Sequence, residues 1–164
     1  MSVIDDLVAH NRSYAPVHGL HSLPTAPRLR LAVLTCMDSR LDLFGALGLA
    51  LGDAHLIRNA GGVATEDAIR SLLLSQFLLG TRAIMVIQHT RCSLETFNEE
   101  SLQSEIEGKF GLTTPFGLGA HDDLEANVQT TMAILSASLF VDTSEIRGFV
   151  FDVDKGDLRE VLTD

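Results

Sequence analysis

Apolar and polar positions along this chain switch between a helical and an extended period, and each switch marks an element. Val3, Leu7 and Val8 share one helical face while Asp5, Asp6 and Asn11 fall elsewhere, which predicts a short amphipathic helix over residues 3–14. Residues 15–27 hold three of the four prolines plus Gly19 and read as an extended arm. Strands are expected at residues 29–35, 54–58 and 83–88, the first and third nearly continuous in apolar residues. Between the last two, Thr65 is a favoured N-cap, Glu66 and Asp67 suit the positive end of a helix dipole, and Gly80 supplies a stop. That helix carries Ile69, Leu72, Leu73, Leu74, Phe77 and Leu78 on most of its sides, so deep burial is expected. A short helix is expected at 42–49, a polar one at 99–110 and a longer one at 122–140. Residues 147–153 and 158–161 flank Asp154-Lys155-Gly156-Asp157, a strand–turn–strand signal.

Strand, helix, strand with buried strands is the pattern of an α/β fold. A mainly parallel central β-sheet flanked by helices is expected, with a helical arm at the N-terminus. The 164 residues suffice for one domain with its own core, divided into an arm at 1–27 and an α/β core at 28–164. Charge narrows the partners. Twelve Lys and Arg stand against 22 Asp and Glu, a net charge of -10, which disfavours binding to nucleic acid or to an anionic membrane. No apolar run reaches a membrane span, and the start lacks the basic and apolar stretches of an export signal, so a cytoplasmic protein is expected. In such a compartment the only two cysteines, Cys36 and Cys92, are more often reduced for metal binding or catalysis than joined.

Two thiols and one imidazole can hold zinc with its fourth position left open, the pattern of a catalytic site. His89 and Cys92 are three residues apart, so one turn can present both. Cys36 lies far off in sequence. It and His89 each follow a strand of one parallel sheet, so both should emerge at its carboxyl edge, where open α/β sheets bind ligands. Against this, cysteine is often just a small buried hydrophobe, and His-x-x-Cys alone is a weak signal. A second constellation is Cys36-Met37-Asp38-Ser39-Arg40. If the chain stays extended there, Asp38 and Arg40 point the same way. Arg40 would lower the carboxylate's pKa and leave an oxygen to accept a hydrogen bond from metal-bound water. By spacing alone, an ordinary surface ion pair is the stronger reading.

Cys36-Met37-Asp38-Ser39-Arg40, then Arg58-Asn59-Ala60-Gly61-Gly62, then His89-Thr90-Arg91-Cys92 resemble the three signature segments of the β-class carbonic anhydrases, in the same order. The similarity runs over almost the whole chain and is nearest to the short, actinobacterial-type branch. The resemblance implies one Zn²⁺ per chain held by Cys36, His89 and Cys92, with Asp38 and Arg40 as the catalytic dyad. It implies a homodimer or homotetramer, and a zinc-hydroxide enzyme that hydrates carbon dioxide reversibly to bicarbonate and a proton. It also implies that Arg40 keeps Asp38 off the metal.

One departure is local. The family usually has Gly after the second ligand cysteine and a small or acidic residue before it; here these are Ser93 and Arg91. Ser93 is suited to cap a following short helix, and Arg91 reads as a solvated arginine at the pocket mouth unless a carboxylate pairs with it. The departure keeps a second activity in view, hydrolysis of carbonyl sulfide or carbon disulfide at the same zinc. A third reading is a zinc-binding protein without turnover, against which the intact Asp38 and Arg40 argue. His10, His18, His21, His55 and His121 are candidate proton relays, each more often an ordinary histidine.

Overall fold

The computed structural model describes residues 2–15 and 23–162. Five strands make one sheet in the order β2-β1-β3-β4-β5: β1 is Leu31–Cys36, β2 Ala54–Asn59, β3 Ala83–His89, β4 Glu145–Phe151 and β5 Leu158–Val161. The first four pair in parallel and β5 returns antiparallel along β4. The helices are α1 Val3–Tyr14, α2 Leu43–Leu47, α3 Glu66–Phe77, α4 Glu99–Phe110 and α5 Leu124–Ala137. The chain thus builds the mainly parallel α/β sheet expected of it.

Alternate residues of the central strands serve two cores, because successive side chains of a strand point to opposite faces. Ala32, Leu34, Ile84 and Val86 pack with Ala68 and Leu72 of α3 and with Val128, Met132 and Leu135 of α5. On the other face Val33 and Ile87 pack with Leu43 of α2 and Phe149. Each such large side chain, fully buried, contributes roughly 1.5–3 kcal/mol. Together they hold β1 and β3 rigidly, with Thr35 opposite Ile87.

Several boundaries move for local reasons. Arg30 adopts φ 52 and donates its N–H to Pro27, so β1 begins at Leu31 rather than at residue 29. Asp42 caps α2 through Gly45 N–H, and Gly48 ends it in the left-handed region. Asp123 caps α5, and extended backbone at Ser138 stops it before Leu139 and Phe140. β4 ends at Phe151 because Asp152 accepts from the N–H groups of Asp154 and Lys155 and turns the chain.

Deep burial of α3 was the wrong expectation. Ala68, Leu72 and Ser75 are its buried residues, while Phe77 is 82% and Leu78 66% exposed. The sheet covers one stripe of the helix, and apolar content on the other sides does not bring a cover with it. α1 forms where expected, opened by a capping box between Ser2 and Asp5, yet none of its residues is buried. Most of the expected arm, including His18 and His21, lies outside the described residues. No described helix is long and apolar enough to cross a membrane.

Candidate metal centre

Cys36 and His89 are the last residues of β1 and β3, so the parallel register carries both to one edge of the sheet. After His89 the chain reverses through Thr90 and Arg91, Arg91 taking φ 55, and brings Cys92 back to that edge. The ligand atoms of Cys36, His89 and Cys92 lie within 4.8 Å of one another, and all three residues are buried.

The donor set suits a metal ion. His89 Nδ1 lies 3.0 Å from the Thr90 carbonyl, which can only accept, so Nδ1 carries the proton. Nε2 is left as a buried lone pair without a hydrogen-bond partner. An unsatisfied buried acceptor costs about 1–3 kcal/mol, which a cation between the three donors would offset. Burial opposes ionisation of Cys36, but the His89 imidazole and the N–H groups of Asp38 and Gly61 outweigh it and bring the thiol to about 7. Burial, which opposes its own charge, is likewise outweighed at His89, whose pKa is raised by the neighbouring Cys36 and Thr90. Burial pushes the Cys92 thiol up, and the nearby Cys36 adds to it. Two thiolates so close need positive charge between them, and sulfur and nitrogen donors are those zinc prefers.

Asp38 and Arg40 meet beside this group, but through a turn and not an extended strand. Arg40 Nε donates to Asp38 Oδ1 at 2.9 Å and Nη2 to Oδ2 at 2.7 Å; the Arg40 backbone N–H adds a third bond to Oδ1. Leu41 N–H closes the turn on the Asp38 carbonyl. Both carboxylate oxygens are therefore engaged, contrary to the expectation that one stays open. Oδ2 accepts only one of these bonds and lies 3.7 Å from His89 Nε2, so its second lone pair faces the donor cluster. The guanidinium holds the Asp38 carboxyl well below the usual carboxylate range.

The Arg58–Gly62 segment holds the loops around the site, a role that the sequence pattern does not specify. Arg58 donates to the carbonyls of Cys36, Asp38 and Leu41, so one guanidinium clamps the loop that carries both a thiol and the carboxylate. Asn59 fixes the next turn by bonding both the N–H and the carbonyl of Val63. The acceptors of Arg58 are backbone carbonyls, which every residue carries, so no side-chain pattern in the sequence marked this role. Ser93 does not cap the short 3-10 turn Ser93–Glu95; Cys92 holds the N-cap position, and its N–H bonds the Glu95 carboxylate at 3.0 Å. Arg91 pairs with Asp154 at 2.6 Å instead of standing solvated alone.

A cavity of about 680 Å³ opens over this edge, lined by Asp38, Arg40, Arg91, Ser93 and Leu94 among others. None of His10, His55 and His121 lines it. His55 instead bonds Ser75 at 2.7 Å, and His121 donates its backbone N–H to Leu94.

The family described as Carbonic anhydrase matches residues 31–108. Beta-carbonic anhydrase 1 of Mycobacterium tuberculosis is 40% identical over 98% of this chain and 99% of its own length. The carbonic anhydrase of Streptococcus mutans, a solved structure, superposes with a TM-score of 0.92 at 40% identity, covering 99% of both chains. A carbon disulfide hydrolase of an Acidianus species is 48% identical over a shorter stretch, 44% of this chain and 36% of that protein.

Proposed function

The chain belongs to the β-carbonic anhydrase family, and from that premise we propose that it hydrates carbon dioxide reversibly to bicarbonate, with zinc on Cys36, His89 and Cys92 and with Asp38 and Arg40 as the dyad. The carrying observation is the two-pronged Asp38–Arg40 pair set beside three convergent buried donors. Zinc bound there supplies a Lewis acid that activates water for attack on the carbon of carbon dioxide. The chain's own part is orientation and proton handling. Arg40 keeps Asp38 ionised and turned so that the second lone pair of Oδ2 accepts a hydrogen bond from the attacking water. Arg58 holds the turn that presents them.

The reading extends to setting and assembly. Zinc-binding thiols stay available in a reducing compartment, which supports a cytoplasmic site of action. Residues 28–164 form the α/β unit that carries the site, and residues 1–27 serve assembly as a homodimer or homotetramer. The exposed apolar face of α1 supports that role: Val3, Ile4 and Leu7 are 72%, 67% and 66% exposed.

A second reading, hydrolysis of carbonyl sulfide or carbon disulfide, is favoured by Arg91 and Ser93, which flank Cys92 at the cavity mouth. The linear sulfur analogues differ from carbon dioxide mainly in size, and pocket walls discriminate such pairs by about 1–3 kcal/mol. Stopped-flow carbon dioxide hydration and sulfide release, run in parallel on one preparation carrying about one zinc per chain, separate the readings. Asp38→Asn should keep its zinc and lose roughly a hundredfold in hydration. A preparation that releases sulfide with the higher kcat/KM establishes the second reading, and a full-length chain without bound zinc rejects both.

A further inference from the structure

Arg91 and Arg30 are the non-glycine residues with positive φ among the described residues. A left-handed arginine is unfavourable, so something must hold it. Its carbonyl accepts from Arg40 Nη2 at 3.0 Å, and the same nitrogen donates to Asp38 Oδ2 at 2.7 Å. A guanidinium Nη carries two hydrogens, one for each acceptor, so the Arg91 carbonyl and the Asp38 carboxylate together set the plane of Arg40.

The Arg91 side chain is tied to a different part of the fold. Its Nη2 lies 2.6 Å from Asp154 Oδ1, in the turn between β4 and β5. Two hydrogen bonds dock that turn on the same stretch: Thr90 N–H donates to the Phe151 carbonyl, and Val153 N–H donates to the Thr90 hydroxyl oxygen. Asp154 is itself placed by its N–H bond to Asp152 Oδ1 at 2.9 Å.

We propose that Asp154 is a positioning residue for the reaction, holding Arg91 in its left-handed conformation so that the Arg91 carbonyl orients Arg40 and, through it, Asp38. The inference rests on the reading of Asp38 and Arg40 as the dyad. If Arg91 relaxes to negative φ, the peptide joining it to Cys92 rotates and its carbonyl leaves Arg40. The guanidinium then keeps only its two-pronged bond to Asp38, and the pair can shift as a unit because nothing ties it to the Arg91–Cys92 peptide. Both partners of the ion pair are more than half exposed, and such a pair adds little to overall stability. Its effect is the choice between two orientations of one peptide, at a point where the orientation matters.

The test measures kcat, KM and zinc content for carbon dioxide hydration by the full chain. Asp154→Asn keeps the side chain's shape and removes its charge; it should lower kcat about three- to fivefold at equal zinc and unchanged KM. Arg91→Asp suits the left-handed backbone but faces Asp154 with like charge, and should lose at least as much. Combining it with Asp154→Arg should recover most of the wild-type kcat, a rescue that mere loss of folding stability does not give. Raising salt to about 1 M should narrow the gap between wild type and Asp154→Asn, since an exposed pair is screened. Asp38→Asn runs alongside as the control. Wild-type kcat in Asp154→Asn, or a charge-swapped pair no better than Arg91→Asp, overturns the proposal while an inactive Asp38→Asn leaves the dyad standing. A fully active Asp38→Asn removes the dyad and the proposal with it.

Discussion

Gly62 sits directly against the backbone of Cys36: a Cβ added to it would lie 2.7 Å from the Cys36 nitrogen and 2.7 Å from the Thr35 carbonyl carbon. Its φ of +66 is also one that only glycine adopts without cost. Neither neighbour can yield, because both belong to the buried end of β1. Gly62→Ala should therefore destabilise the fold by about 2–4 kcal/mol and displace the Cys36 thiol. Thermal melting and zinc content per chain check this; a variant with unchanged Tm and full zinc would show that the loop shifts at little cost.

Arg58 makes three hydrogen bonds to carbonyls of the 36–41 loop, the shortest to Asp38 at 2.6 Å. Lysine keeps the charge but cannot span the three acceptors. Arg58→Lys should lose about 1–3 kcal/mol of stability and roughly tenfold in turnover. Denaturant midpoints and hydration rates test it. Full activity in Arg58→Lys would mean that the turn holds Asp38 without the clamp.

Arg40 sets the acid behaviour of Asp38. A carboxyl held below its usual range contributes stability that is fully present above the unfolded value, about 3.9, and lost as pH falls through the lower folded value. In Arg40→Ala the main cause is gone while the backbone N–H bond to Oδ1 remains, so Asp38 should titrate clearly higher than in the wild type. Urea midpoints of the metal-free proteins should differ most at about pH 5–7, and the difference should begin to shrink below about pH 4 and fade as pH falls toward the lower folded value. Direct observation of the Asp38 carboxyl by NMR gives the same answer, and equal titration in the two proteins would refute the coupling.

α1 turns Val3, Ile4, Leu7 and Val8 outward, from 50% to 72% exposed, along one face. Burying such a face against a second copy is the economical cover for it. Sedimentation should show the full chain as a dimer or larger, and a chain beginning at Arg28 as a smaller species. Identical sedimentation of the two would place the contact elsewhere.

The chain by itself makes its strands and helices legible wherever a local signal is strong. Continuous apolar runs mark β1 and β3, Thr65 and Gly80 bracket α3, and Asp154-Lys155-Gly156-Asp157 marks the β4–β5 turn. Cys36, His89 and Cys92 stand out for the same reason, since few residue types bind zinc and parallel strands end at one edge. What the sequence could not decide depends on which surfaces meet. An apolar α3 reads as buried all round, but only contact with the sheet determines that Leu72 is covered and Phe77 is not. The three bonds of Arg58 join residues 17 to 22 apart through backbone carbonyls, groups every residue carries, so no side-chain pattern announces them. Arg91 reads as a surface charge until the fold brings Asp154 to it and turns its carbonyl to Arg40. Side-chain chemistry is written residue by residue, whereas backbone orientation and the choice of neighbour are settled only when the whole chain packs.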